Sequence, residues 1–272
     1  MMRKVWVVLS VLLLGHLSEG DAQDDFRHLD EGRPLRVEDA YPIKYLEWEW
    51  EVGFRGQAAR GGVYDAAGLL EVKVGVARNF QFGVESHTAI LRTPSGTQIG
   101  VEGFQAHLLF NPNQEGTSTP ALGVRIDLIS SGLGEAGRAD FGGRVRTMAT
   151  RTVGAVRAHL NAGYVWASSA DAGSFWSGGL ALDHALGLSS RLLAADVYLE
   201  VPSGGGPVRA WLDGGARIQL RKSVVLDVGL FTRIDRWSDG EANIGFTAGL
   251  SRGFGLSSLM SVPDYPDPPL RE

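Results

Sequence analysis

Histidines beside a serine or a carboxylate are the residues of this chain whose types and spacing could support catalysis. Ser86 precedes His87, and Asp183 precedes His184. Nucleophilic catalysis requires the nucleophile and its base to lie within hydrogen-bond reach, whereas neighbours on a β-strand point to opposite faces. The surrounding pattern also offers no strand–turn–helix unit of the kind that carries a G-x-S-x-G nucleophile elbow. We therefore expect that the protein is not an enzyme, and specifically not a lipase, acyltransferase or protease acting at a membrane.

The histidines and the lack of cysteine also bear on metal binding. His87, His107 and His159 fall on one face of the predicted strands, but no recognised metal-ligand spacing accompanies them. The chain contains no cysteine, which excludes disulfides and thiolate metal sites. We predict no cofactor and no metal site.

Charged side chains at alternate positions form the larger set of chemically capable residues. From residue 46 to residue 54, apolar residues occupy the even positions, and glutamate or glycine occupies the odd ones. A strand gathers such residues on one face, whereas a helix would scatter them. Charged residues from this and later strands are predicted to line a lumen: Glu47, Glu49, Glu51, Glu71, Lys73, Glu85, Arg125, Asp127, Arg144, Arg146, Arg157, Arg209, Asp213 and Arg217.

The signs of these lumen charges are mixed, so they are expected to pair across strands and to give at most a weak cation preference. The stripe of Glu47, Glu49 and Glu51 is predicted to be the least paired set. The last strand, which would lie beside it in a closed barrel, offers no base among its inward residues.

Strands are the elements that must position these charges. Alternation with period two recurs about twelve times between Ile43 and Phe254. Tight turns such as residues 77–79 and 221–223 alternate with links rich in Gly, Ser, Asp and Pro, such as 54–66 and 130–142. Short turns at one end, longer loops at the other and an even strand number are typical of outer-membrane barrels. We therefore predict an all-β fold over residues 43–256: an antiparallel, up-and-down transmembrane β-barrel of about 12 strands.

The direction in which the apolar face points separates a membrane barrel from a soluble one. A barrel of this size is too wide for Ala and Leu side chains to fill, and aromatic residues such as Trp48, Phe110 and Trp176 fall near segment ends, as interfacial girdles do. Closure also leaves no unpaired sheet edge in hydrocarbon. These features favour apolar residues facing lipid, with a secreted, soluble ligand-binding β-protein as the alternative.

The two ends of the chain differ from the barrel in pattern. Residues 1–22 have a basic start, an apolar run over 5–14 and small residues before two candidate cleavage positions, which is typical of a secretory signal peptide. Residues 23–42 are charged and aperiodic, and we expect either a lumen plug or a periplasmic tether. Residues 257–272 are rich in proline, which excludes a central strand and predicts a disordered tail.

The stretch Arg33 to Pro42, RPLRVEDAYP, leads directly into a first strand with acidic alternation. It resembles the start of the outer-membrane barrels grouped with the MetA pathway of phenol degradation. The resemblance implies a transporter, more distantly similar to the long-chain fatty-acid channels. It carries no catalytic or ligand residues over to this chain.

Composition, pattern and, for the transport role, the resemblance together give the functional expectation. The net charge of −5 argues against a nucleic-acid partner. We expect a monomer, exported by its signal peptide to the outer membrane of a Gram-negative bacterium and surrounded there by lipid. It would act as a porin-like channel or transporter that passes small solutes, hydrophobic or aromatic ones among them. The alternatives are a structural or adhesive barrel and the soluble ligand-binding protein.

Overall fold

Twelve β-strands make up almost all of the regular structure in the computed structural model of this chain. The structure describes residues 26–59, 63–93, 96–131, 141–167, 173–187, 190–235 and 244–255. The strands are β1 (Glu47–Ala59), β2 (Val63–Ala77), β3 (Phe80–Thr93), β4 (Gly96–Asn113), β5 (Ala121–Ser131), β6 (Phe141–Val153), β7 (Val156–Ala167), β8 (Phe175–Ala185), β9 (Arg191–Pro202), β10 (Arg209–Arg221), β11 (Val224–Arg233) and β12 (Ile244–Gly255).

Each strand pairs antiparallel with the next one along the chain, and β1 pairs with β12 to close the barrel. Closure gives the backbone N–H and C=O groups of β1 and β12 hydrogen-bond partners. The hydrocarbon core of a membrane requires this, because it offers no water to replace them. The predicted all-β, up-and-down barrel of twelve strands is confirmed. The predicted link 54–66 is wrong in extent, because β1 continues to Ala59 and β2 begins at Val63. Small residues such as Gly56 and Ala66 end the apolar alternation there, but backbone pairing continues.

The two faces of the wall differ as a transmembrane barrel requires. On β8, Leu180 and Leu182 point outward and are 54% and 52% exposed, while the intervening Ala181 and the following Asp183 are buried inside. The same alternation holds on β9, where outward Leu193 and Val197 are exposed. An apolar exterior around a polar interior is the pattern of membrane-spanning barrels.

The barrel has a turn end and a loop end. At the turn end, tight connections such as 78–79, 154–155 and 222–223 join the strands. Aromatic pairs lie at both ends of the barrel. The ring centres of Phe80 and Phe110 are 4.4 Å apart at the turn end, and those of Tyr164 and Trp176 are 4.7 Å apart at the loop end. Interfacial aromatic girdles occupy these positions in membrane barrels.

Most of residues 26–46, which we call the luminal segment, lies inside the barrel, and only positions 27, 44 and 45 of this range are exposed. Leu29, Leu35 and Val37 are fully buried and pack against inward residues of β8, β9 and β10, including Leu192 and Trp211. Ala40 packs in a second apolar cluster with Leu109, Ala121 and Met148. Inward apolar residues at these points break the polar pattern of the interior and meet the apolar residues of the luminal segment.

The predicted signal peptide (1–22) and C-terminal tail (257–272) lie outside the described residues and stay predictions, as do the domain boundaries. Among the residues that the structure describes, no helix is long and apolar enough to cross a membrane.

Candidate functional site

The luminal segment is held to the wall by hydrogen bonds from its own backbone. The amides of Val37, Glu38, Ala40 and Ile43 donate to side chains on four different strands: Asp196 (2.9 Å), Asn161 (2.9 Å), Thr150 (3.0 Å) and Gln81 (2.9 Å). A buried amide without a partner costs free energy comparable to a lost hydrogen bond. Here polar wall residues replace water as partners, so the interior is specifically shaped for this segment.

Glycines on the inner face give the luminal segment its space. A Cβ built on Gly179 would lie 2.5 Å from Cγ2 of Val37, and one on Gly215 would lie 2.6 Å from Cβ of Pro34. Such contacts are closer than van der Waals packing permits, so these positions tolerate no side chain without a shift. The inner-face glycines that meet the segment in this way are Gly53, Gly75, Gly123, Gly179, Gly215, Gly229 and Gly249. The wall is recessed along the path of the segment.

A first charged cluster joins Asp30 of the segment to the wall. The Nζ of Lys73 on β2 lies 2.5 Å from Oδ1 of Asp30, and it also contacts Glu51 on β1. Arg217 on β10 contacts the other carboxylate oxygen of Asp30 at 3.0 Å. Arg33 pairs with Glu51 from the segment side. These side chains are buried, and each charge meets an opposite one, which a buried charge requires.

A second charged cluster joins Glu31 and Glu38 to three arginines. Arg144 donates to both carboxylate oxygens of Glu31 at 2.6 Å, in the bidentate geometry that guanidinium groups favour. Arg125 binds Glu38 at 2.9 Å, and Arg146 binds the other oxygen of Glu38 at 3.1 Å. Three cations on β5 and β6 therefore hold two anions of the segment.

An ion pair between His28 and Asp39 joins the beginning of the luminal segment to its later part. Nδ1 of His28 lies 3.2 Å from Oδ1 of Asp39, and Asp39 also accepts hydrogen bonds from the amides of Leu29 and Tyr41, both at 3.0 Å. Burial by itself lowers the pKa of His28, but the charge of Asp39, the hydrogen bond to Asp39 and the charge of Asp30 together raise that pKa to about 9. His28 is therefore a cation near neutral pH.

The structure brings most of the predicted lumen residues together around the segment. Eleven of the fourteen are buried, and Glu47, Arg157 and Arg209 are partly exposed. Six of them bind charged residues of the segment. The acids of the segment are bound by Lys73, Arg125, Arg144, Arg146 and Arg217, and Arg33 is bound by Glu51.

The other predicted lumen residues make further ion-pair contacts. Glu49 contacts Lys73, Asp127 contacts Arg125 and Arg144, and Asp213 contacts Arg36. Glu71 lies near His107, Glu85 near His87, Arg157 against Asp183 and Arg209 against Glu200. Their role in a solute path stays a prediction.

The expectation that the glutamate stripe is the least paired set is wrong. Glu51 lies between Lys73 and Arg33, and Glu49 lies 3.4 Å from Lys73. The bases come from the other neighbouring strand, β2, and from the luminal segment rather than from β12. Asp30, Glu49 and Glu51 lie close enough to share an ion, but the ammonium of Lys73 already lies among them.

The letters G-x-S-x-G do occur once, over residues 249–253, and they do not form a nucleophile elbow. Ser251 lies in the middle of β12, paired with Glu51 and Val225 on the two neighbouring strands. An elbow needs a sharp strand-to-helix turn that exposes the serine, whereas Ser251 is fully buried in continuous strand.

Cavities lie on both sides of the luminal segment. At the turn end, a cavity of about 570 Å³ is lined by Arg27, His28, Tyr41 and Lys44 of the segment. Toward the loop end, two cavities of about 310 and 320 Å³ are lined by the other side of the segment, including Arg33 and Arg36. The segment therefore lies across the lumen between a turn-end and a loop-end cavity.

Comparisons with known proteins agree on the fold. No family model and no curated protein matches this chain, so the MetA-pathway resemblance stays a prediction. The COG4313 outer membrane channel from Pseudomonas putida F1 is similar with a TM-score of 0.60 at 11% identity, covering 83% of this chain and 100% of that one. The KdgM porin has a TM-score of 0.52 at 10% identity, covering 75% and 99%, and the NanC porin 0.51 at 12%, covering 74% and 98%. In fold, this chain is similar to the twelve-stranded barrels of outer-membrane channels.

Proposed function

We propose that this protein is an outer-membrane channel for small solutes whose lumen is closed at mid-depth by the luminal segment. The observation that carries the proposal is the position of residues 26–46 between the cavities at the two ends of the barrel. The shared fold with outer-membrane channels supports the channel role and the location in that membrane. Arg27 and His28, at the start of the described segment, line the turn-end cavity, and the turn end is periplasmic in such barrels.

A solute must then move the luminal segment or pass beside it. The segment is tethered by ion pairs and hydrogen bonds, each of which can exchange with water, rather than by continuous sheet pairing. Its only pairing with a strand in the described residues is the single bridge between Tyr45 and Gly75. This arrangement favours a removable plug over a permanent thirteenth strand. No catalytic role is proposed, and the protein is taken to act as a monomer.

A reversible disulfide tests whether the segment must move. The natural chain has no cysteine, so the double variant Val37→Cys/Gly179→Cys can form only the intended bond. A Cβ at position 179 would point at the side chain of position 37 and lie closer to it than van der Waals packing permits, which suits the short Cβ–Cβ separation of a disulfide. The folded state of each variant is checked by its change of gel mobility on boiling.

Planar-bilayer conductance of the oxidised and reduced double variant gives the result. We expect the oxidised protein to be silent and reduction to restore openings, while the two single-cysteine variants respond to neither treatment. Equal conductance in both states would mean that solutes pass beside the segment. Silence of the reduced protein, and of a variant lacking residues 26–42, would favour a structural barrel instead.

A further inference from the structure

Three arginines lie at the turn end of neighbouring strands, outside the lumen. Two backbone hydrogen bonds join the parts of the chain that carry them: the amide of Gln219 donates to the carbonyl oxygen of Ser190 at 3.0 Å, and the amide of Gly253 donates to that of Ser223 at 3.0 Å. The start of β9, the β10–β11 turn and the end of β12 therefore form one continuous part of the wall. We call its cationic side chains the basic rim: Arg191, Arg221 and Arg252.

The side chains of the basic rim leave the barrel on its outer surface. Leu192 is buried inside the barrel, and neighbours on a strand point to opposite faces, so Arg191 points outward. Ser251 is likewise buried inside, so Arg252 points outward too. Arg221 is exposed at the end of β10. These guanidinium groups therefore face the surroundings of the barrel and not its lumen.

An aromatic pair marks the depth at which the basic rim lies. The guanidinium of Arg252 lies 4.9 Å from the ring centre of Phe254, and that ring lies 5.7 Å from the ring of Trp48. Aromatic rings of membrane proteins lie at the level of the lipid headgroups. A charge on the lipid-facing side of a barrel is tolerated at this level and not at the midplane, so the basic rim lies where headgroups surround the barrel.

The charges of the basic rim are not balanced by acids of the protein. The stretches 186–192, 218–225 and 250–255 contain no aspartate or glutamate. The acids closest to them in sequence, Asp183 and Asp227, lie inside the barrel and pair there with Arg157 and Arg217. Among the residues that the structure describes, no rim arginine has a carboxylate within ion-pair distance. The rim therefore keeps its positive charge for a group outside the protein.

We propose that the basic rim binds the headgroups of anionic phospholipids in the membrane leaflet at the turn end. Guanidinium groups present paired donors that match phosphate oxygens, and clustered basic residues at a membrane surface attract anionic lipids. The outward direction of Arg191 and Arg252 favours a lipid over a soluble partner, which would approach from beyond the turns. Near the loop end of the same strands, outward residues such as Trp176, Val201 and Ile244 are apolar, so the lipid preference belongs to one leaflet.

Lipid retention by the full chain in nonionic detergent tests the proposal. The immobilised protein is equilibrated with mixed micelles that contain equal amounts of phosphatidylglycerol and phosphatidylcholine, and the retained lipids are quantified by mass spectrometry. Both lipids carry a phosphate, but only phosphatidylglycerol has a net negative charge. We expect at least about tenfold more phosphatidylglycerol, since each basic residue near a membrane surface contributes about fivefold to the binding of anionic lipid. Equal retention of the two lipids would overturn the proposal.

A soluble anion separates a lipid site from a site for free phosphate. The same experiment is repeated in inorganic phosphate and in chloride of equal ionic strength, so that both solutions screen charge equally. We expect the lipid preference to be the same in the two solutions. Loss of the preference in phosphate alone would show a site for a free anion and would overturn the lipid as occupant.

Two variants and one control locate the binding, and each is first shown to be folded by its change of gel mobility on boiling. Arg191→Gln and Arg221→Gln should each lower the ratio of retained phosphatidylglycerol to phosphatidylcholine about fivefold, and the double variant should retain the two lipids almost equally. Arg151→Gln removes an arginine that also lies at the turn end but already contacts Glu115, and it should leave the ratio within about twofold of the natural one. An unchanged ratio in the double variant would contradict the assignment.

The inference rests on the membrane location in the proposed function and not on the passage of solutes. A barrel that conducts but shows no preference for phosphatidylglycerol loses only the basic rim as a lipid site. A barrel that retains phosphatidylglycerol through the rim but never conducts loses only the channel.

Discussion

Val37 of the luminal segment fills the space that Gly179 leaves on the inner face of β8. A Cβ added at position 179 would lie 2.5 Å from Cγ2 of Val37 and 2.9 Å from the Tyr198 ring. The neighbouring Gly178 points outward, and a Cβ there would meet only a backbone oxygen at 3.6 Å, which is ordinary contact. A substitution at Gly179 therefore affects the contact with the luminal segment, whereas the same substitution at Gly178 changes the strand without touching the segment.

Gly179→Ala should loosen the luminal segment, while Gly178→Ala should not. Overpacking of a tight contact costs about 1–3 kcal/mol, so segment undocking should become at least about fivefold more frequent. The measurement is the rate of trypsin cleavage after Arg36 in the folded barrel, because that bond is accessible only when the segment leaves the wall. Equal cleavage rates in the two variants would mean that the segment does not depend on the recess at position 179.

Lys73 holds three carboxylates that would otherwise repel each other. Its Nζ contacts Asp30, Glu49 and Glu51 inside the barrel. Lys73→Met should destabilise the docked segment strongly, since removing one partner of a buried ion pair costs about 3–5 kcal/mol. We expect faster trypsin cleavage after Arg36 and a lower temperature for the gel-mobility change. Lys222→Met, in an exposed turn, serves as the charge-matched control and should leave both readouts unchanged.

The barrel was predictable from sequence because one physical constraint acts at every second residue. Lipid requires apolar side chains outside and permits charge inside, so Leu180, Leu182 and Asp183 take the faces that their alternation predicts. The inward position of Lys73 and Arg217 follows from the same rule. Strand ends were less predictable, since Gly56 and Ala66 carry no apolar signal but still pair through their backbones.

The path of the luminal segment was not predictable in this way. Its contacts join residues far apart in sequence, as in the hydrogen bond from Val37 to Asp196, and its own pattern has no period. One signal was present: inward positions that hold glycine instead of a polar residue, such as Gly53, Gly179 and Gly229. A recessed inner face indicates that something lies against it, but only the structure identifies Arg33, Val37 and Pro34 as the groups that do.

The docking of the segment should weaken at alkaline pH because of His28. Its pKa of about 9 in the docked state exceeds the ordinary value of 6.5, so the stabilisation from its pairing with Asp39 is complete below about pH 6.5 and is lost as the pH rises through 9. Asp30 supports the charged form and Lys73 opposes it. The rate of trypsin cleavage after Arg36, normalised to a free peptide at each pH, should therefore rise between pH 6.5 and 9.5.

His28→Gln isolates the contribution of that ion pair. The variant should undock more readily at pH 6.5 than the natural protein does, and its normalised cleavage rate should vary little with pH. A natural protein with a flat profile, or a variant that keeps the rise, would show that another group controls the docking.

The depth of an outward residue should determine how much a charge there destabilises the barrel. Leu180 lies at the middle of β8 and points outward, whereas Val201 points outward at the loop end of β9. An arginine at the bilayer midplane costs about 2–4 kcal/mol and one near the interface about 0–1 kcal/mol. Leu180→Arg should therefore lower the stability of the folded barrel in lipid vesicles, measured by denaturant titration, much more than Val201→Arg. In a soluble barrel with solvent outside, both substitutions would be tolerated equally, so equal stabilities would contradict the membrane-spanning arrangement.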